Sequence, residues 1–190
     1  MEGRDNFLCA GVKTSGEDIM EKLKSVIRDI PDFPKEGIVF KDITPLLRDK
    51  NTFRRAIDFL YDHYKNKKID VVVSVESRGF ILGSVLAYKL GAGFVPVRKK
   101  GKLPYKTHSI TYDLEYGQDT LEMHEDSILK SDRVLIIDDL LATGGTLSAA
   151  VDLTKKMGGD IIGIGFLIEL TFLNGRDRLK GYDVVSLIKY

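Results

Sequence analysis

The residues best suited to chemistry stand together in the stretch VLIIDDLLATGGT, residues 134–146. An apolar run ends in two adjacent acids, Asp138 and Asp139, and a short loop follows that opens a helical pattern. The loop consists of Ala142, Thr143, Gly144, Gly145 and Thr146. Glycines let a backbone approach a ligand closely, and the free N–H groups at a helix start suit a phosphate. The stretch therefore predicts a phosphate loop beside carboxylates that could accept hydrogen bonds from a sugar diol.

Two other phosphate-binding motifs do not fit this chain. A Walker A loop needs Gly-Lys followed by Ser or Thr, but Gly101-Lys102 is followed by Leu103. A dinucleotide fingerprint needs three spaced glycines that open a helix, but Gly163 and Gly165 lie within a strand pattern and lack the third.

Apolar runs alternate with helical patterns from residue 69 onward. The predicted strands are 69–75, 94–97, 133–137, 161–168 and 184–188; the predicted helices are about 80–90, ending at Gly91, and one through Leu147, Ala150, Leu153 and Met157, ending at Gly158-Gly159. Short continuous runs of branched residues are typical of strands buried on both faces. Strands that alternate with helices predict an α/β fold with a mostly parallel sheet. Because ligands bind at the carboxyl ends of such strands, the acid pair is expected at the site.

Three other segments must fit around this sheet. A first helix is predicted from Ile19, Leu23, Val26, Ile27 and Ile30, with Ser15 or Asp18 as cap, and Pro31 and Pro34 end it before an extended loop at 38–40. A second helix is predicted over about 53–64 with Asn51 or Thr52 as cap. Residues 106–124 are polar and turn at Tyr116-Gly117, which predicts an antiparallel hairpin that stands off the sheet as a lid. Residues 1–18 are expected to be a flexible extension and 19–190 a single domain.

Composition narrows the classes of partner. Among 190 residues, Lys+Arg 29 against Asp+Glu 28 give a net charge of +1, so any basic site must be local and a nucleic-acid partner is not expected. The single cysteine, Cys9, excludes an internal disulfide and the cysteine-rich zinc patterns. No apolar run approaches the roughly 18 residues of a membrane span, and the N-terminal residues lack a signal-peptide core. We therefore expect a cytoplasmic protein that does not associate with a membrane and has no metal held by its own side chains.

Six stretches in order resemble the type I phosphoribosyltransferases, and among these the adenine-specific members. They are PDFPKEGIVFKDITPLL (31–47), ESRGF (76–80), RKKGKLP (98–104), LEYG (114–117), DDLLATGGT (138–146) and IELTFLNGR (168–176). The resemblance covers about residues 20–190. It implies a twisted, mostly parallel sheet flanked by helices, a flap hairpin near 105–124 and an N-terminal hood of helix and loop. It also implies transfer of the phosphoribosyl group of 5-phosphoribosyl 1-diphosphate to N9 of adenine, which gives AMP and diphosphate. Mg²⁺ bound mainly through the diphosphate and a homodimer are implied as well.

The resemblance also assigns roles to residues around the sugar. Asp138 and Asp139 are implied to hold the ribose hydroxyls, near the positive charge that C1′ develops as the diphosphate leaves. The leaving group is strongly anionic, and its contacts are expected from a set of basic and polar residues. This set is Ser77, Arg78, Arg98, Lys99 and Lys102, of which Arg98, Lys99 and Lys102 are implied on the diphosphate or the 5-phosphate side. Lys100 is as well explained by solvation alone.

Around the base, the resemblance points to the hood and the lid. Phe40 is implied to stack on adenine, the backbone of Val39 and Lys41 to recognise the purine edge, and Leu170 to cover the other face. Glu115 is implied as proton acceptor and donor at the purine, and Tyr116 as a residue that closes the site. The Glu76-Ser77 bond matches a non-proline cis peptide.

Two alternatives remain at this point. Some proteins of this fold are regulators that bind nucleic acid, but the segment before Ile69 has no room for a winged-helix domain. An enzyme of the same fold could instead use xanthine or hypoxanthine, against which FPKEGIVFKD and LEYG argue.

Overall fold

The computed structural model describes residues 16–113 and 117–190. These residues form two compact units, one that ends at Arg48 and one that spans Asp49–Tyr190. The first unit contains, in chain order, α1 (Gly16–Ser25), β1 (Arg28–Ile30), β2 (Phe40–Asp42) and α2 (Thr44–Arg48). The predicted extension over residues 1–18 stays a prediction: residues 1–15 lie outside the described residues, and α1 begins at Gly16.

The first unit departs from the predicted helix. Helix α1 ends at Ser25, and Arg28–Ile30 pairs antiparallel with Phe40–Asp42, so the expectation that Ile27 and Ile30 continue the helix was wrong. The chain turns between these strands through a cis bond at Phe33-Pro34 and a left-handed Gly37, whose φ is 84°. The predicted extended loop is therefore one side of a small hairpin.

The second unit contains three long helices, seven strands and two short 3₁₀ helices. They are α3 (Lys50–Tyr64), β3 (Val71–Val75), α4 (Arg78–Leu90), β4 (Gly93–Lys99), β5 (Thr107–Asp113), β6 (Gln118–His124), β7 (Arg133–Leu141), α5 (Gly145–Lys156), β8 (Asp160–Glu169), the 3₁₀ helices Thr171–Leu173 and Gly175–Leu179, and β9 (Val184–Lys189). Helix α3 begins earlier than predicted. Its cap is Asp49, whose carboxylate accepts from the N–H groups of Asn51 and Thr52, the two residues expected as caps.

The seven strands form one sheet in the order β5-β6-β4-β3-β7-β8-β9. Strands β4, β3, β7, β8 and β9 are parallel, and β5 and β6 are antiparallel. The predicted α/β fold with a flap hairpin is confirmed. The hairpin does not stand off the sheet, however, because Arg98 and Lys99 of β4 pair with Glu122 and Leu121 of β6.

Alternate residues of the central strands serve two separate cores. Val134 and Ile136 belong to the core cluster that contains the apolar side of α5. Gly163 and Gly165 of β8 leave room on the other face for Tyr64 and Leu60 of α3. Helices therefore cover both faces, as strands buried on both sides require. Among the described residues, no helix is long and apolar enough to cross a membrane.

The order of the strands creates a crevice beside β3. Strand β3 leads through α4 to β4 on one side, whereas β7, on its other side, leads through α5 away to β8. The connections diverge at the carboxyl ends of β3 and β7, which is where open α/β sheets bind ligands.

Candidate active site

The acid pair lies where β7 extends beyond its neighbour. Within the described residues, β3 pairs with β7 only as far as Ile137, whereas β8 continues to pair with it through Leu141. The strand thus does not end at the acids, as predicted, but carries them past the end of β3. Asp138 is 8% exposed and Asp139 6%, so both carboxylates are buried at the open edge of the crevice.

Few groups offset the charge of this pair. Asp138 Oδ1 accepts a hydrogen bond from Asp139 N at 2.9 Å, and Arg78 Nη2 lies 2.8 Å from Asp139 Oδ2. Burial raises the pKa of Asp138 well above its ordinary value, and the Asp139 charge adds to this. Burial also raises the pKa of Asp139, although the Arg78 guanidinium acts in the opposite direction. The site therefore favours ligands that donate hydrogen bonds or bring positive charge.

Helix α4 approaches the pair through a glycine that sequence reasoning did not single out. A Cβ on Gly79 would lie 2.6 Å from Asp138 Oδ1 and 3.3 Å from the carbonyl oxygen of Ile137. Any side chain here would push against the carboxylate. The predicted cis bond at Glu76-Ser77 is present just before this helix, and Ser77 is exposed at the helix N-cap. The only sequence sign of the role of Gly79 was its place in ESRGF.

The phosphate loop joins β7 to α5 with its glycines buried. Gly144 has φ +81°, a left-handed conformation that favours glycine, and it precedes the first residue of α5. Gly144 and Gly145 are buried, Thr146 is half-buried and Thr143 is exposed. The sequence predicts an anion site at the first N–H groups of α5, and this stays a prediction.

The loop is supported from behind by backbone contact. A Cβ on Gly175 would lie 2.1 Å from the carbonyl oxygen of Ala142, and a Cβ on Gly144 would lie 2.6 Å from that of Gly175. Sequence reasoning missed Gly175 because a backbone contact between segments 30 residues apart leaves no local signal.

A buried carboxylate fixes the residue after Gly175. Arg176 Nε and Nη2 donate to Glu169 Oε1 and Oε2 at 2.9 and 2.5 Å, and Arg176 Nη1 donates to the carbonyl of Val184 at 2.9 Å. Ser186 Oγ also donates to Glu169 Oε2, at 2.5 Å. These bonds from Arg176 and Ser186 lower the pKa of Glu169 to about 2, against the effect of burial. The segment that supports the phosphate loop is therefore tied to β8 and β9.

The basic loop after β4 presents some cations and uses others internally. Arg98 Nε donates to Glu76 Oε2 at 2.7 Å, and its Nη1 donates to the carbonyl of Lys102 at 3.0 Å. Burial would raise the pKa of Glu76, but hydrogen bonds from the Lys99 backbone and Arg98 hold it lower. Lys99 Nζ lies 3.0 Å from Asp119 Oδ2 on β6, and Lys102 is exposed. Arg98 thus shapes the loop, Lys99 forms an ion pair with the hairpin, and Lys102 is exposed to solvent.

The residues predicted at the base fall in both units. In the first unit, Phe40 packs edge-to-face on Phe33 with ring centroids 5.3 Å apart. Lys41 Nζ donates to Asp29 Oδ1 at 2.7 Å, and Val39 is exposed. In the second unit, Leu170 is half-buried directly after β8. Glu115 and Tyr116 lie outside the described residues, so their predicted roles stay predictions.

The donors that the described residues offer a metal are carboxylates. Asp138 and Asp139 supply the hard oxygen ligands that Mg²⁺ prefers. Among residues 16–113 and 117–190, no group of three or more His, Cys, Asp or Glu side chains converges as a metal cage.

Family comparison agrees with this architecture. Residues 42–188 match the model of the phosphoribosyl transferase domain family. The chain therefore belongs to the phosphoribosyltransferase family.

Individual relatives narrow the assignment. The chain is 63% identical over 171 residues to the adenine phosphoribosyltransferase of Geotalea daltonii, which covers 90% of this chain and 100% of the relative. It is 60% identical over 167 residues to that of Solidesulfovibrio magneticus, covering 88% and 98%. The crystal structure of the enzyme from Thermoanaerobacter pseudethanolicus superposes with a TM-score of 0.88 at 54% identity, covering 90% of this chain and 99% of that one. The chain therefore belongs to the adenine phosphoribosyltransferase family.

Proposed function

We propose that this protein transfers the phosphoribosyl group of 5-phosphoribosyl 1-diphosphate to N9 of adenine, with AMP and diphosphate as products. The observation that carries the proposal is the buried Asp138-Asp139 pair beside a glycine phosphate loop at the crevice of the sheet. The relatives are named adenine phosphoribosyltransferases, and a crystal structure of the Saccharomyces cerevisiae enzyme, 40% identical to this chain, was determined in complex with adenine.

The two anionic ends of the substrate call for two groups of donors. We assign the 5′-phosphate to the loop from Ala142 to Thr146, because its buried glycines leave the first N–H groups of α5 free to bind it. We assign the diphosphate to Arg78, Lys99 and Lys102, with Arg98 holding the shape of the basic loop. Ser77 is assigned beside Arg78. The metal, Mg²⁺, would arrive on the diphosphate and offset its charge there, with the oxygen donors of the acid pair close by.

The acid pair suits the reacting sugar. Its carboxylates can accept hydrogen bonds from the two ribose hydroxyls, which offsets part of the cost of burial. As the bond to diphosphate breaks, C1′ becomes positive, and fixed negative groups nearby stabilise that charge. Because burial disfavours the charged acids in the absence of ligand, their interaction with the sugar becomes more favourable as positive charge develops.

The base and the lid complete the proposal through the family resemblance. Phe40 and Leu170 are assigned to the faces of adenine, the backbone of Val39 and Lys41 to its edge, Glu115 to proton transfer at the purine and Tyr116 to closure. A closed lid excludes water, which would otherwise hydrolyse the activated sugar.

We further propose a cytoplasmic homodimer. Helix α4 exposes Ile81, Val85 and Tyr88, which are 40%, 37% and 89% accessible and share one helix face. A second copy of the chain could cover this stripe. The single cysteine is compatible with a reducing compartment. Sedimentation velocity should give a mass of twice the 21.3 kDa of the chain, and a monomer at micromolar concentration would contradict the dimer.

The proposed function is tested by a panel of bases with phosphoribosyl diphosphate and Mg²⁺. Adenine presents an amino donor at position 6 and an acceptor at N1, and hypoxanthine reverses both. Sites built on hydrogen bonds to a substrate discriminate by about 10⁴-fold or more, so we expect kcat/KM for adenine to exceed that for hypoxanthine and guanine by this factor. Comparable efficiencies would overturn the adenine assignment and leave phosphoribosyl transfer in place.

A stacking variant separates affinity from selectivity. Phe40→Ala should raise KM for adenine, because it removes apolar contact from the base. The ratio of adenine to hypoxanthine efficiency should stay nearly unchanged, since a stacked ring contacts any purine face alike. A collapse of the ratio would show that Phe40 itself sets base choice.

A further inference from the structure

A chain of four polar side chains runs across the flap hairpin. Lys99 Nζ lies 3.0 Å from Asp119 Oδ2, and Tyr112 faces Asp119 across the register of β5 and β6, where each side chain acts on the pKa of the other. The Tyr112 hydroxyl lies 3.3 Å from Thr146 Oγ1. These side chains of the hairpin thus connect the end of β4, at Lys99, to the start of α5, at Thr146.

The protons in this chain can be counted. Tyr112 is half-buried, and burial raises its pKa, so it keeps its proton near neutral pH. That proton has two acceptors, the Asp119 carboxylate and Thr146 Oγ1. The Thr146 hydroxyl also has a single proton, and it can go either to the Tyr112 oxygen or to a ligand.

A bound phosphate would decide between these arrangements. A phosphate dianion only accepts, so it draws the Thr146 proton toward itself. Thr146 Oγ1 then accepts a hydrogen bond from the Tyr112 hydroxyl, while Lys99 continues to offset the charge of Asp119. Without the Tyr112 hydroxyl, Thr146 Oγ1 would lose the hydrogen-bond donor that holds its rotamer.

We propose that Tyr112 is a positioning residue that orients the Thr146 hydroxyl toward the 5′-phosphate by donating its own proton to Thr146 Oγ1, while Lys99 pairs with Asp119, the competing acceptor across the hairpin. This inference rests on the proposed function, which assigns the phosphate loop to the 5′-phosphate. It gives the β5 strand a part in substrate binding that is separate from proton transfer at the base.

The direct test is Tyr112→Phe, which keeps the ring and removes the hydroxyl. A single neutral hydrogen bond contributes enough for about a 3- to 10-fold change. We expect KM for phosphoribosyl diphosphate to rise by this factor, with kcat and KM for adenine within about twofold. The inhibition constant of ribose 5-phosphate should rise in parallel, because this probe carries only the 5′-phosphate. The inhibition constant of inorganic diphosphate should not change.

A matched control and a second background make the test specific. Thr111 and Thr120 share a cross-strand hydrogen bond of 2.9 Å on the same hairpin and are exposed or half-buried away from Thr146. Thr111→Val should therefore leave every constant unchanged. In a Thr146→Val background, Tyr112→Phe should have no further effect, because Tyr112 acts through that hydroxyl. Thermal unfolding of each variant reports whether it folds.

The outcomes separate cleanly. An unchanged KM in Tyr112→Phe, an additive effect in the Thr146→Val background, or an equal rise for inorganic diphosphate would each overturn the positioning role while wild-type AMP formation stands. Failure of the wild-type protein to form AMP would overturn the proposed function, and the inference with it.

Discussion

The carboxylate of Glu169 offers a quantitative test of how the phosphate loop is held. Its pKa falls from an ordinary 4.5 to about 2 because Arg176 and Ser186 donate to it, and the side chain is only 6% exposed. One pKa unit corresponds to about 1.36 kcal/mol, so the charged form of Glu169 contributes about 3 kcal/mol to folding at neutral pH. Glu169→Gln keeps the shape of the side chain and removes this charge.

The dependence on pH has a definite sign. In the unfolded chain Glu169 binds its proton near pH 4.5, and in the folded protein only near pH 2. The contribution is therefore complete above about pH 5.5 and is lost as pH falls toward 2. We expect Glu169→Gln to lower the free energy of unfolding by about 3 kcal/mol at pH 7, and the gap to wild type to narrow by about 2 kcal/mol by pH 3.

Urea denaturation between pH 7 and pH 3 measures both quantities. Asp177 is the matched control, because it lies next to Arg176 in the 3₁₀ helix Gly175–Leu179 and its ion pair with Lys180 is 67% and 79% exposed. Asp177→Asn should cost less than about 0.5 kcal/mol. A gap between wild type and Glu169→Gln that stays constant over this pH range would refute the reasoning. Since Arg176 follows Gly175, KM for phosphoribosyl diphosphate should also rise in Glu169→Gln.

Three further substitutions probe the site. Gly175→Ala would place a Cβ 2.1 Å from the Ala142 carbonyl oxygen. We therefore expect about 1–3 kcal/mol of destabilisation and at least a tenfold higher KM for phosphoribosyl diphosphate. Gly93→Ala is the control in the same assays, because a Cβ there would lie 3.6 Å from its nearest neighbouring atom. Asp138→Asn should raise the thermal midpoint, because burial disfavours the charge it removes, and should lower kcat about 100-fold or more; a lower midpoint would contradict the first effect. Glu115→Gln should lower kcat by about 10²–10⁴-fold with KM for adenine unchanged, and a change in KM alone would make Glu115 a binding residue.

Much of the sheet could be predicted because its strands are buried on both faces. The run IDVVVSV is rich in branched apolar residues and the run VLII before Asp138 is apolar throughout, a pattern that is typical of central parallel strands. Helix α4 ends as expected, since Gly91 takes the left-handed conformation with φ 69°.

The first unit shows where periodicity fails. Ile27 and Ile30 continue the helical spacing of α1, yet β1 pairs with β2 and removes them from the helix. Spacing cannot distinguish a last helical turn from a three-residue strand whose partner lies ten residues later. The cap of α3 was misplaced for a simpler reason: Asp49 is as good a cap as Asn51 or Thr52 and lies just before both of them.

The contacts that shape the site were the hardest to predict, because they depend on what a residue lacks. Gly79 and Gly175 matter through the atoms that a Cβ would strike, and those atoms belong to other segments. The Tyr112 to Thr146 contact likewise joins a hairpin to a loop 34 residues away. Motifs in the sequence predicted the acids and the loop themselves, and the fold adds the burial and the close backbone contacts around them.

The fold accommodates the buried acid pair in the part of β7 that extends beyond the end of β3. Strand β7 extends past β3, so the pair faces an open crevice while β8 still satisfies the backbone on the other side. Gly79 makes room for the Asp138 carboxylate, and Arg78 forms an ion pair with Asp139. The remaining negative charge is unfavourable without ligand, and in the proposed reaction it would be relieved by a sugar that donates two hydroxyl hydrogen bonds and becomes positive at C1′. We propose that the same burial that makes Asp138 costly to the fold strengthens its interaction with the reacting carbon.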